Sequence, residues 1–197
     1  MGLRTTTWKD RNLDRLQEAK REANTRDYKN PTIVDIGPGG VVEFLADYFP
    51  SGKKDDWEYE TRLMRFLLRP FESGLRKTGM FRLRSYEVEE VLRVFTDLNP
   101  MQVYVVDCER EVLDATPRDP RIKRVKADIS REPIPCTGNI VICYHTIERA
   151  ADTRKGLGNV LASVEIGGLI STTMPPETIA DYPAFRRVGM HVYTRDF

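Results

Sequence analysis

Histidine and cysteine are scarce in this chain. Its 197 residues hold two of the first, His145 and His191, and three of the second, Cys108, Cys136 and Cys143. Three widely spaced thiols without metal-ligand spacing exclude a disulfide framework and a structural zinc site, so reduced thiols and no metal are expected. Long apolar runs are missing too. None approaches the length that spans a bilayer, and the charged stretch from Met1 to Asn30 lacks the apolar core of a signal peptide. A cytoplasmic protein with no membrane partner is expected. Charge of one sign is also lacking, since 31 Lys and Arg stand against 30 Asp and Glu. Any preference for an anionic partner must therefore be local.

What the chain does have is an apolar, β-prone run that ends in an acid and a glycine-rich turn, Pro31-Thr32-Ile33-Val34-Asp35-Ile36-Gly37-Pro38-Gly39-Gly40-Val41. Ile33, Val34 and Ile36 suit a buried parallel strand, and the glycines let backbone approach a ligand where a Cβ would intrude. A helix is expected over Val41 to Phe49, its free N–H groups facing whatever lies over the glycines. The next clear strand, Met101 to Asp107, comes some sixty residues later, so an insertion of about residues 51–100 interrupts the unit. Alternation then resumes, with a helix at Arg110 to Ala115 and strands at Arg121 to Lys126 and Asn139 to Cys143. A helix at about Asp152 to Glu165, a strand at Leu169 to Thr173 and one last strand at Arg187 to Thr194 follow. The rhythm implies a mostly parallel sheet covered on both faces, with residues 1–30 as a largely solvated N-terminal helical segment and 31–197 as the main domain.

A ribose needs an acceptor at the carboxyl end of the strand beside the glycine turn, and Asp107 is placed to be that acceptor. A nicotinamide-dependent dehydrogenase uses similar geometry. Its fingerprint G-x-G-x-x-G, however, meets Val42 at the third glycine, and Asp35 ahead of the glycines favours a cationic amino-acid moiety over a pyrophosphate.

Four segments in order resemble the class I S-adenosylmethionine-dependent methyltransferases. These are Val34 to Gly40, Tyr104 to Asp107, Val125 to Ile129 and Asn139 to Arg149, the last followed by a helix and Gly167-Gly168-Leu169-Ile170-Ser171-Thr172-Thr173. The resemblance covers residues 31–49 and 101–173. It implies a doubly wound, mostly parallel Rossmann-like α/β sheet with a helical insertion and a shortened C-terminus, and S-adenosylmethionine as cofactor. It further implies that Asp35, Gly37, Pro38, Gly39 and Gly40 hold the methionine part, Asp107 with Cys108 the ribose, and Asp128 with Ile129 the adenine. Tyr144 would line the same cleft. Departures are Val41 in place of a third alternating glycine, Asn139 in place of an acid, and Tyr144 and Arg149 in place of Asn and His. After Thr173, one closing strand is legible where the family has a pair.

Methyl transfer from a sulfonium is an in-line displacement, so the protein must align the acceptor and, where it carries a proton, remove it. His145 is the candidate base, with Tyr144 beside it. Its other reading is a loop residue bonded to a backbone carbonyl. Within the insertion, Arg62, Arg65, Arg69, Arg76, Lys77, Arg82 and Arg84 face only Glu72. Arg62, Arg65 and Arg69 share one face of an expected helix and are candidates to bind an anionic small molecule or RNA. A second helix is expected after Ser85. A cofactor-binding module without catalysis is the competing reading, and a homodimer through the last strand or the insertion is the expected assembly.

Overall fold

The structure, a computed structural model, describes residues 8–38, 41–44, 81–84 and 86–197. Ile33, Val34 and Ile36 are at most 1% exposed, as a central strand buried on both faces requires. That strand, β1 (Thr32–Ile36), pairs in parallel with β4 (Gln102–Asp107) on one side and β6 (Gly138–Cys143) on the other. Beyond β4 lies β5 (Ile122–Lys126), and beyond β6 lies β7 (Val164–Thr172), both parallel to their neighbours. Two antiparallel strands, β9 (Val192–Arg195) and β8 (Phe185–Arg187), complete the order β5-β4-β1-β6-β7-β9-β8. The sheet is the doubly wound, mostly parallel one expected. Strand order reverses between β1 and β6, which makes their carboxyl ends the crevice where open α/β sheets bind ligands.

Four expectations are corrected. Val41–Phe44 is not the start of a helix but a strand, β2, paired antiparallel with β3 (Phe81–Arg84) in a separate two-stranded sheet. The crossover from β1 to β4 is instead made by α2 (Tyr86–Val94), the helix expected after Ser85. The insertion therefore enters before that helix. The N-terminal helix, α1 (Trp8–Thr25), is not largely solvated: Leu16, Ala19 and Ala23 are at most 1% exposed and share a core with Val88 and Val91 of α2 and with Phe95 just after it. Two of these three are alanines, which let the helix lie close to the sheet. Glu18 fastens it further, accepting the backbone N–H of Met190 and that of His191 at 3.3 Å. The single closing strand is in fact two, with the turn Val188 to His191 between them, so β9 is an inner strand. The edge at this end of the sheet is the three-residue β8, a short edge of the kind that blocks pairing between chains. That removes the open-edge argument for a dimer.

Helices α1 and α2, with the short α3 (Arg110–Asp114), cover one face. On the other lie α4 (Thr153–Ala162), capped by Asp152 accepting the Lys155 N–H at 2.9 Å, and α5 (Pro176–Ala180). Among the described residues no helix is long and apolar enough to cross a membrane.

Candidate active site

The carboxyl end of β1 turns at Gly37, whose φ of +64° suits glycine and whose N–H donates to the Val106 carbonyl at 2.7 Å. A second constraint acts there. A Cβ at Gly37 would overlap the side chain of Thr146, from the loop after β6. Thr146 Oγ1 stands 3.2 Å from the Ile36 carbonyl oxygen, 3.1 Å from that of Gly37 and 3.1 Å from that of Tyr144, and its one proton can serve one of them at a time. The loops after β1 and β6 are thereby pinned together at the switch point.

His145 also has a left-handed backbone, with φ +55°. Its N–H donates to Thr173 Oγ1 at 2.8 Å, and the Thr173 hydroxyl donates to Glu148 Oε1 at 2.8 Å. This relay fixes the backbone of His145 beside Thr146. Tyr144 goes elsewhere: it is 2% exposed, its hydroxyl meets Ser171 Oγ at 2.8 Å, and Arg15 lies 5.8 Å from its ring centroid. Burial holds its phenol well above the ordinary value. The catalytic and cofactor roles expected for the Tyr144 side chain are corrected to a place in the core, because side chains alternate along the strand and residue 144 falls on the α1 face.

At the end of β4, Asp107 Oδ1 accepts the Glu109 N–H at 2.8 Å, and the Asp107 carbonyl accepts the Ala127 N–H at 3.1 Å. Burial raises the Asp107 carboxyl, and the Glu109 N–H opposes that rise. Cys108 is exposed. Its thiol is raised by partial burial and then by the charges of Asp107, Glu109 and Asp128, so these acids gather at one corner of the crevice. Asp128 is engaged at both oxygens, accepting the Ser130 N–H at 2.9 Å and pairing with Arg131 at 3.1 Å. Ile129 is buried in the core on the α4 face.

Asp35 is wholly buried, and no donor among the described residues bonds either of its oxygens. Desolvation pushes its carboxyl up to about 7, with the neighbouring Glu87 lowering it and the charge of Asp107 raising it. Glu87, in the first turn of α2, is pushed well above the usual range by burial and then by Asp35. An acid in the first helical turn reads from sequence as a partner of the helix dipole, and nothing in that pattern signals burial.

Asn139 lies far from the crevice. Its Oδ1 accepts the Thr32 N–H at 2.9 Å and its Nδ2 donates to Glu165 at 2.7 Å, ties at the amino ends of β1, β6 and β7. Its departure from the acid of the resemblance is structural. The structure thus brings Asp35, Gly37, Pro38, Asp107, Cys108, Asp128 and the backbone of His145 to one end of the sheet. Gly39, Gly40, Arg62, Arg65 and Arg69 lie outside the described residues. Thr146, Thr173 and Glu87 were not anticipated; Thr146, next to His145 in the fourth segment, is the one that local sequence could have indicated.

No protein-family model and no curated protein matches the chain. Among solved structures, the chain is similar to the N-methyltransferase NodS of Bradyrhizobium japonicum WM9 in complex with S-adenosyl-L-homocysteine. Identity is 11% and TM-score 0.47, over 86% of this chain and 67% of that one. It is similar also to CalS10, an amino pentose methyltransferase from Micromonospora echinaspora solved with S-adenosylmethionine, at 15% identity and TM-score 0.46 over 88% and 54%. A third is the cyclase SpnF, at 13% identity and TM-score 0.47 over 83% and 43%. The chain thus spans about half the length of the last two.

Proposed function

We propose that the chain binds S-adenosylmethionine across the carboxyl ends of β1 and β4 and transfers its methyl group to an acceptor held near the loop after β6. One observation carries the reading. A buried carboxyl without a donor among the described residues, Asp35, stands two residues before the left-handed Gly37, roofed by Thr146, and a second acid, Asp107, ends the neighbouring strand. These residues fit the cofactor. Asp35 supplies negative charge for the ammonium of the methionine part, and Gly37 allows the close backbone approach. Asp107 has Oδ2 left for the ribose hydroxyls, and Asp128 with Ile129 borders the adenine.

When bound, the cofactor supplies an electrophilic methyl group. The chain's own contribution is alignment and proton removal, the second assigned to His145, which the Thr173–Glu148 relay holds in place. The basic insertion, with Arg62, Arg65 and Arg69, is assigned to choosing an anionic acceptor, a small molecule or RNA. Asn139 no longer supports the reading of a binding module without catalysis, because it lies at the other end of the sheet.

The test is incubation with methyl-labelled S-adenosylmethionine and two pools of acceptors, anionic metabolites and RNA. Label transfer that falls in His145→Ala supports the assignment. No transfer to any acceptor by a protein that still binds the cofactor would reduce the function to binding.

A further inference from the structure

Two acids are buried together here, and among the described residues no cation is bonded to either. Glu87 is 4% exposed; its Oε2 accepts Asn12 Nδ2 at 3.3 Å, while its Oε1 receives no donor. Asp35 receives none at either oxygen. Arg15, the guanidinium whose charge acts on Glu87, gives Nη1 to Asn12 Oδ1 at 2.8 Å and leaves Nε without a partner. Two ionised carboxylates in such a place are strongly disfavoured, so at least one proton must be held there. The open Oε1 of Glu87 can carry it. As an O–H it becomes a donor, and Asp35, which lacks any other, is the acceptor.

Resting on the cofactor reading above, we propose that Glu87 is a positioning residue for the cofactor: held as a neutral acid, it donates to Asp35 and sets the pH at which Asp35 becomes the anion that receives the ammonium group. Glu87 lies on the crossover helix, outside the segments that carry the family resemblance. The other groups around the pair are Asp107 on β4, which raises Asp35, Arg15 on α1, whose charge acts on Glu87, and Cys143 on β6 with Tyr144 just after it, both kept neutral by burial. Burial raises both carboxyls, that of Asp35 to about 7, and the retained proton is assigned to Glu87.

An ammonium beside Asp35 favours the ionised form, so binding expels one proton to solvent. Affinity then rises by up to about tenfold per pH unit as pH climbs toward 7, and levels off above it.

Calorimetric titration with S-adenosylhomocysteine from about pH 5.5 to about pH 8.5, in two buffers of different ionisation enthalpy, reads this linkage. Carboxyl-carbon NMR of the unliganded protein reads the pair itself. The native protein should release close to one proton per ligand below pH 7 and none at the upper limit, with Asp35 titrating near 7 and Glu87 still neutral there. Glu87→Gln, whose amide keeps a donor, should retain that profile. Glu87→Ala, which removes the donor, should move the midpoint up by about one pH unit and weaken binding at neutral pH. Glu87 ionised at pH 7 in the unliganded protein overturns the proposal, as does a flat profile in Glu87→Gln or an unmoved midpoint in Glu87→Ala. Binding without proton release overturns the linkage alone. No binding by the native protein at any pH overturns the cofactor reading and the linkage together, even where NMR finds the acid pair.

Discussion

Thr146 roofs Gly37: the side chain of the one occupies the space where the other's Cβ would be, and its hydroxyl lies 3.1 Å from the Gly37 carbonyl oxygen. Two loops more than a hundred residues apart thereby hold one another at the switch point of the sheet. Gly37→Ala should destabilise the fold by at least about 1–2 kcal/mol from the left-handed backbone alone. Thr146→Ser in that background, which removes Cγ2 but keeps the hydroxyl, should restore part of the loss. Urea unfolding measures both, and an unchanged midpoint in Gly37→Ala would mean that the two residues do not constrain each other.

Asp107→Ala should weaken S-adenosylhomocysteine binding by about 1.5–3 kcal/mol, the range for hydrogen bonds to a charged group. The stability of the variant should change less, because Asp107 is only partly buried and its local partner, the Glu109 N–H, lies in an exposed loop. Equal affinity in variant and native protein removes Asp107 from the site.

Asn139→Ala should do the opposite. It strands the half-buried N–H of Thr32 at the start of β1 by removing its acceptor, a loss of about 1 kcal/mol in stability, and leaves cofactor affinity unchanged. A fall in affinity at native stability would place Asn139 in the crevice after all.

Stability should fall as pH rises from about 4 toward 7, because Asp35 and Glu87 hold protons in the folded protein that they release at ordinary acid pKa values when unfolded. Both folded values are raised, so the contribution is complete at low pH and is lost on going up through the folded pKa. Glu87→Gln should flatten part of this slope. A thermal midpoint that climbs steadily across the same range in the native protein, and equally in the variant, contradicts the buried acid pair.

The residues that sequence disclosed are those whose signal is local. Ile33 to Gly37 is a buried strand running into a left-handed turn, and Asp107 ends another such strand; hydrophobic runs and glycines report both directly. The parts that escaped are settled by distant contacts. Val41 and Val42 are β-branched, but their partner strand Phe81–Arg84 lies about forty residues on, so the helix expected there had no local competitor. Ala19 and Ala23 are weakly apolar, and only close approach to the sheet makes them core. Tyr144 and His145 are neighbours in sequence. The pleat sends Tyr144 into the core, where Ser171 meets it, and a left-handed backbone leaves His145 at the crevice. Glu87 reads as a charge favourable to its helix dipole, yet the fold buries it against Asp35.

The most direct test is calorimetric titration of the native protein at neutral pH with S-adenosylmethionine, S-adenosylhomocysteine and NAD. One saturable site for each of the first two, no heat of binding with NAD, and loss of the site in Asp35→Ala are expected. Saturable binding of NAD with none of S-adenosylhomocysteine would contradict the assignment of this crevice.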